Sequence, residues 1–266
     1  MLTNYHTHTD FCDGANSAEE MVVKAIELGF NALGFSGHGY AQMTQGYCIK
    51  DVGEYIAEIK RLKEKYANKI QIYLGVEEDA PECVNRADFD YIIGALHHVF
   101  KDGKALPVDH SKKDFIQTLK AFNNDHIAFT KAYYEFYVDY LLKRKPDIVA
   151  HFDLLTKFDE LDKSLFLQDN EYNKIAEKYL LKALDCQSIF EVNTGAIARG
   201  YRTSPYPALN LLNLIKKNDG KVMITTDCHN KDKLDCYIRE AKALLKDVGF
   251  KYTYVLYDGE FKKDYL

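Results

Sequence analysis

Most of the nine histidines in this 266-residue chain stand in short motifs with chemical potential. They are His6-Thr7-His8, Ser36-Gly37-His38, His97-His98, His151-Phe152-Asp153 and Asp227-Cys228-His229, with Glu77 closing an apolar run between them. Only His110 and His126 sit apart. Neutral imidazole keeps a lone pair near pH 7 and is the commonest protein ligand for borderline divalent metals. Such a set offers more nitrogen and oxygen donors than one ion needs. A cluster of two or three ions is the natural reading. His6 and His8 alternate along a strand and so share a face. Glu77 and Glu78 are adjacent, so one turns inward and the other outward; strand-end spacing favours Glu77. His38 stands between two glycines, where open backbone suits a crowded site.

Such a cluster needs elements that bring distant residues to one place. Short β-type runs occur at Leu2–Tyr5, Ala32–Phe35, Ile70–Val76, Tyr91–Gly94, Ile148–Ala150, Ile189–Val192, Val222–Thr226 and Tyr252–Tyr257. Helical stretches fill the gaps. Ser17-Ala-Glu-Glu20 is a capping box opening a helix that Gly29 ends. Asp51 caps the next, with Val52, Ile56, Ile59 and Leu62 spaced for one buried face. A long helical stretch, Asp114–Lys145, breaks near Asn123-Asn124 and stops before Pro146. Its aromatic run, Tyr133 to Tyr140, reads as packing. Asp169–Leu184, Ala208–Lys217 and Lys231–Lys246 follow. Strands alternating with helices imply a parallel sheet, and no linker divides the chain, so residues 1–266 read as one domain. Six of the first seven strands deliver a candidate ligand at their carboxyl end. Only a closed barrel makes so many strand ends converge, and parallel barrels carry their active sites there.

Bulk composition agrees with an enzyme. Hydrophobic residues make up 47% of the chain, enough for a sizeable core, and one α/β barrel of about 250 residues is normal. The net charge of −5 has the wrong sign for binding nucleic acid through its phosphates. Cysteines 12, 48, 83, 186, 228 and 236 form no CxxC pair and read as free thiols. No leader and no apolar run of about 20 residues is evident, so a cytoplasmic location and no membrane partner are expected.

These motifs, in order, resemble the polymerase-and-histidinol-phosphatase (PHP) superfamily. The resemblance rests on His6-Thr-His8-Thr-Asp10, Ser36-Gly-His38, Gly75-Val-Glu77, Gly94-Ala-Leu-His97, Ala150-His151-Phe-Asp153 and Thr226-Asp227-Cys-His229, and spans nearly the whole chain. Asn193-Thr-Gly195 with Arg199, Arg202 and Tyr206-Pro207 resembles the histidinol-phosphatase branch, as does Leu-Leu-Lys-x-x-Gly-Phe before the last strand. The resemblance implies a distorted (β/α)7 TIM-like barrel, with a metal centre at the carboxyl face holding zinc, iron or manganese. His6, His8, Glu77 and Asp227 would surround one metal, with Glu77 bridging to a second held by His97 and His151. A third would take His38, His229 and a first-loop residue. That residue is often His in the family; here Asp13 is the nearest fit and Asp10 the competitor.

The chemistry implied is metal-dependent hydrolysis of a phosphomonoester, with a metal-bridged hydroxide as nucleophile. Catalytic roles fall to Glu77, Asp227 and His229, with His229 or Asp153 as general acid. Arg199 and Arg202 follow the strand that supplies no metal ligand, and their planar donors suit a phosphate oxygen. At least one of them, Arg199 ahead of Arg202, is expected to grip phosphate without affecting the metals. His98 reads as packing, with a substrate contact as the alternative. The expected reaction is L-histidinol phosphate to L-histidinol and inorganic phosphate, in histidine biosynthesis. A nucleotide or sugar phosphate as substrate, and a non-catalytic metal-binding module, are the competing readings.

Overall fold

The structure is a computed structural model describing residues 1–161 and 165–266. Its strands are β1 (Thr3–Asn4), β2 (Ala32–Phe35), β3 (Gln71–Asp79), β4 (Tyr91–Ala95), β5 (His98–Lys101), β6 (Lys104–Pro107), β7 (Ile148–Val149), β8 (Ile189–Asn193), β9 (Lys221–Thr225), β10 (Tyr252–Tyr257) and β11 (Glu260–Tyr265). Seven of them pair in parallel in the order β1-β2-β3-β4-β7-β8-β9. Just beyond β1 and β9 the chain pairs again at Thr7 and Cys228. His8 N donates to Cys228 O at 2.8 Å and Cys228 N to His6 O at 3.0 Å, joining the first strand to the last. The result is a distorted seven-stranded TIM-like barrel. Its strands are buried nearly throughout, as a sheet covered on both faces requires.

The remaining four strands form two hairpins outside the barrel. Strands β10 and β11 pair antiparallel, so the Tyr252–Tyr257 run is not a barrel strand. Tyr254, Tyr257 and Phe261 pack on Tyr5, Tyr73, Tyr91, Ile148 and Ile189, sealing the barrel at the amino ends of its strands. Strands β5 and β6 form a hairpin around Asp102-Gly103, both with positive φ. That dipeptide is the usual signal for such a turn.

Helices α1 (Ala18–Glu27), α2 (Val52–Lys65), α3 (Lys112–Ala121), α4 (His126–Arg144), α5 (Asn170–Ala183), α6 (Gly195–Ala198), α7 (Leu209–Lys217) and α8 (Ile238–Val248) cover the outside. Helix α1 opens with the Ser17–Glu20 capping box, and Gly29 follows its end at φ +76°, where a side chain would be strained. Asp51 caps α2, but the buried stripe is Tyr55, Ile59 and Leu62. Val52 is exposed, because the Tyr55 hydroxyl reaches inward to Gly75 O at 2.9 Å and rotates the face.

The long helical stretch is two helices, separated where Asn123 and Asn124 take positive φ. Tyr137 on α4 donates to Gly94 O or Ala150 O, at 2.8 and 2.9 Å, tying the helix to the ends of β4 and β7. Its tyrosines pack in the core rather than on the cavity. The Lys231–Lys246 helix begins later than expected. Residues Lys231–Lys233 form a 3-10 turn capped by Asn230, and Tyr237 turns left-handed before α8. No helix among the described residues is long and apolar enough to cross a membrane.

Candidate metal centre

The carboxyl ends of the parallel strands converge on Glu77. Its Oε2 lies 2.9 Å from His38 Nδ1, 3.3 Å from His6 Nε2 and 3.5 Å from His8 Nε2. Its Oε1 lies 3.1 Å from His151 Nε2 and 3.5 Å from His97 Nε2. Five imidazoles from four strand ends thus meet one carboxylate that is 1% exposed. Asp227 completes the ring, with Oδ1 at 3.3 Å from His8 Nε2 and 3.7 Å from His6 Nε2. Glu78 turns the other way, to Arg144 and Tyr140 outside the barrel.

Several donor atoms facing this centre crowd one another without forming a hydrogen bond. His6 Nε2, His8 Nε2, His38 Nδ1 and Glu77 Oε2 are buried without a hydrogen bond, a condition native proteins rarely tolerate. Ion-ready groupings occur at His6–His8–Glu77, His38–Glu77–His97 and His8–Asp13–His38–His229. These residues and their open donors fit divalent metal ions. Charge points the same way. Burial works against a charged His97, yet Glu77 and Asp79 hold its pKa up to about 10. Burial likewise opposes charge on His6, while Glu191, Glu77 and Asp227 raise its pKa well above the ordinary value. His8 is the exception, held low by burial and by His229 and His38. Despite burial, Glu77 and Asp227 titrate well below the carboxylate range, Glu77 among the histidines and Asp227 chiefly beside Arg199. The centre therefore demands positive charge, and a bound cation supplies it while releasing those protons.

The first loop brings Asp13, not Asp10, to the centre. Asp13 Oδ2 lies 3.4 Å from His229 Nε2 and 3.8 Å from His38 Nε2, and its Oδ1 lies 3.5 Å from His8 Nδ1. Asp10 is exposed on the outer side. Gly14 makes the turn possible: a Cβ there would stand 2.5 Å from Thr9 N and 2.6 Å from the His8 carbonyl carbon. Asp13→Ala should lower bound metal and catalytic rate together, by about 10-fold or more, and Asp10→Ala should leave both within about twofold. Metal analysis and rate assays on both variants check the choice; the reverse pattern would assign the ligand to Asp10.

Strand β8, the barrel strand that supplies no candidate metal ligand, contributes Glu191, which stands in no motif. Its Oε2 lies 2.8 Å from His6 Nδ1 and accepts from Thr225 Oγ1 at 2.8 Å; its Oε1 accepts from His151 N at 2.5 Å and Asn193 Nδ2 at 2.8 Å. Holding the proton on His6 Nδ1 leaves Nε2 bare toward the centre, the usual way a carboxylate fixes a metal-binding tautomer. Asp79 sits in the same way beside His97 and His98, with its pKa lowered to about 2. Glu191→Gln should weaken metal binding about 10- to 100-fold while the protein stays folded. Calorimetric metal titration of the variant reads this directly.

A cleft of about 620 Å³ opens above the centre. Asp13, His38, His97, His98, His151, Arg199, Asp227 and His229 all line it. His98 faces the same cleft as His97 because β4 stops at Ala95 and a new strand begins at His98. Arg199 reaches the cleft while donating to Asp227 O and Oδ2, at 2.9 and 2.8 Å. Those bonds hold Asp227 at φ +47°, an uncommon conformation outside glycine. Arg199 is therefore tied to a candidate ligand, contrary to the expectation that it acts independently of the metals.

Arg202, expected to grip phosphate, instead lies beneath the cleft. It is 3% exposed, stacks on Tyr206, and bonds to Thr156 Oγ1 at 2.5 Å, with Asp153 at 3.5 Å. It braces the loop from below and does not line the cleft. Asp153 is buried with it, accepting from Ala208 N at 3.0 Å, which removes it as a general acid. Lys157, unread from sequence, supplies the second cation of the cleft.

A closed parallel barrel whose strand ends gather this many open donors is built to hold divalent ions. The sequence profile of the PHP domain matches residues 4–195, and the chain belongs to that family. A protein named "Probable histidinol-phosphatase" from Schizosaccharomyces pombe is 26% identical, over 94% of this chain and 87% of its own. The histidinol-phosphatase of Lactococcus lactis is 23% identical over 93% and 91%. The solved histidinol phosphate phosphatase of L. lactis, complexed with zinc, L-histidinol and phosphate, superposes with a TM-score of 0.70. The match covers 98% of this chain and 99% of that one, at 18% identity.

Proposed function

We propose that this chain, as one barrel domain, is a metal-dependent phosphomonoesterase that hydrolyses L-histidinol phosphate to L-histidinol and inorganic phosphate. The observation that carries the reading is the convergence of five histidines on buried Glu77, with open donor atoms beneath a small-molecule cleft. The histidinol-phosphatases similar along almost its full length support the substrate. His6, His8, Glu77 and Asp227 would hold one ion; Glu77, His97 and His151 a second; Asp13, His38 and His229 a third. Zinc, manganese and iron all suit such donors. When bound, such ions supply Lewis acidity that activates water near neutral pH and offsets phosphoryl charge. Arg199 offers the guanidinium that meets a phosphate oxygen, and Lys157 adds a second positive group. His229, counted among the third ion's ligands and with Nδ1 3.0 Å from Asp227 O, is not free to act as the general acid, so water in the cleft would protonate the leaving alkoxide.

Arg199→Ala should cost about 2–4 kcal/mol in transition-state stabilisation, roughly 30- to 1000-fold in kcat/KM, and should also weaken metal binding. Arg202→Ala acts otherwise: it strands buried Asp153 and should cost about 3–5 kcal/mol of stability. Denaturant melts and kinetics on both variants separate the roles.

A phosphate-release screen over histidinol phosphate, sugar phosphates and nucleotides, with manganese, zinc and iron supplied separately, tests the substrate. Histidinol phosphate should have the highest kcat/KM. A sugar phosphate or nucleotide turned over faster would reassign it. No release with any metal would make the chain a non-catalytic metal-binding module.

A further inference from the structure

The cleft contains one charged pair that ion binding does not use. Lys157 Nζ donates to Asp109 Oδ2 at 2.9 Å and to Asp109 O at 2.8 Å, and both side chains line the cleft. Asp109 follows β6, where Val108 N bonds to His97 O at 2.9 Å, so the acid is fixed next to the centre. Thr118 Oγ1 donates to Pro107 O at 2.7 Å and steadies the same turn from behind. Lys157 lies over the rings of Tyr201 and Phe158, at 5.2 and 5.7 Å. This is a braced pair at the site wall.

A carboxylate there works against a plain phosphomonoester. The substrate arrives as a dianion, and an extra acid beside the centre repels it. The penalty disappears when the substrate also carries a cation. Resting on the phosphatase reading above, we propose that Asp109 is the subsite for the ammonium group of the substrate, with Lys157 its resting counter-ion. On binding, the pair exchanges partners: Lys157 turns to the phosphate and Asp109 takes the ammonium. Every charge stays paired, and only a molecule bearing both an anionic phosphate and a cationic amine satisfies both ends. The pair thus selects amino-alcohol phosphates over neutral ones, a specificity built from charge spacing.

The test is a ratio: kcat/KM for histidinol phosphate over kcat/KM for its amine-free analogue, 3-(imidazol-4-yl)propyl phosphate, on metal-loaded protein. A charge-assisted hydrogen bond predicts a wild-type ratio of about 10 to 100. Asp109→Asn should bring the ratio toward one. Lys157→Met should lower both values and leave a clear preference for the amine. A measurement on wild type alone guards against a variant that fails to fold: L-histidinol should inhibit about 10-fold or more strongly than 3-(imidazol-4-yl)propanol. Equal wild-type ratios, or an Asp109→Asn protein that keeps the full preference, would overturn the subsite while leaving the phosphatase intact. A wild type inert toward histidinol phosphate that still prefers aminoalkyl over alkyl phosphates would overturn the substrate and support the subsite.

Discussion

Glu77→Gln is expected to abolish phosphate release, by about 10⁴-fold or more, and to strip most of the bound metal. No other side chain among the described residues touches so many candidate ligands: His6, His8, His38, His97 and His151 all lie within 3.5 Å of its two oxygens. The amide keeps the shape but loses the charge, and one oxygen becomes a donor facing imidazole nitrogens. Glu78→Gln is the control, since Glu78 meets Arg144 and Tyr140 outside the barrel. It should cost stability and leave the metal stoichiometry unchanged. Metal analysis beside kinetics separates the two. A Glu77→Gln protein with full metal content would show that the carboxylate is not needed to hold the ions.

Removing the ions should also loosen the fold. Without them, the open donors of His6, His8, His38 and Glu77 remain buried and unpaired, each at a cost of about 1–3 kcal/mol. Ions bound only by the folded state add stability as RT ln(1 + [M]/Kd), about 4 kcal/mol at 1,000 times Kd. For a chain of this size that corresponds to a fall of about 10 °C in Tm on chelation. Calorimetry with a chelator, then with manganese or zinc restored, should show the loss and the recovery. An unchanged Tm in fully chelated protein would mean the donors are not engaged by metal in the native state.

The motif residues were legible because each stands at the end of a hydrophobic run, so reading strands also located candidate ligands. His6, His8, His38, Glu77, His97, His151 and Asp227 all follow this pattern. Asp13 was legible through Gly14, which permits the loop to fold back. Glu191 was hidden for the opposite reason. It is a single acid inside an apolar strand, and its partners His6, His151 and Thr225 lie on three other segments. The one available signal was a charged residue where burial makes charge costly unless it is paired. Arg199 and Arg202 looked alike because loop spacing does not set side-chain direction. One faces Asp227 and the cleft; the other lies beneath, against Asp153 and Tyr206. Asp109 and Lys157 meet through a hairpin and a 3-10 turn far apart in sequence, a contact no local pattern encodes.

The central claim is that several ions on one Glu77-centred cluster drive hydrolysis of histidinol phosphate. Metal-free protein titrated with manganese or zinc, with bound metal and phosphate release followed on the same samples, tests it most directly. The account predicts negligible activity below one equivalent per chain and a rise as the second equivalent fills. Full activity with one ion or fewer per chain would contradict it.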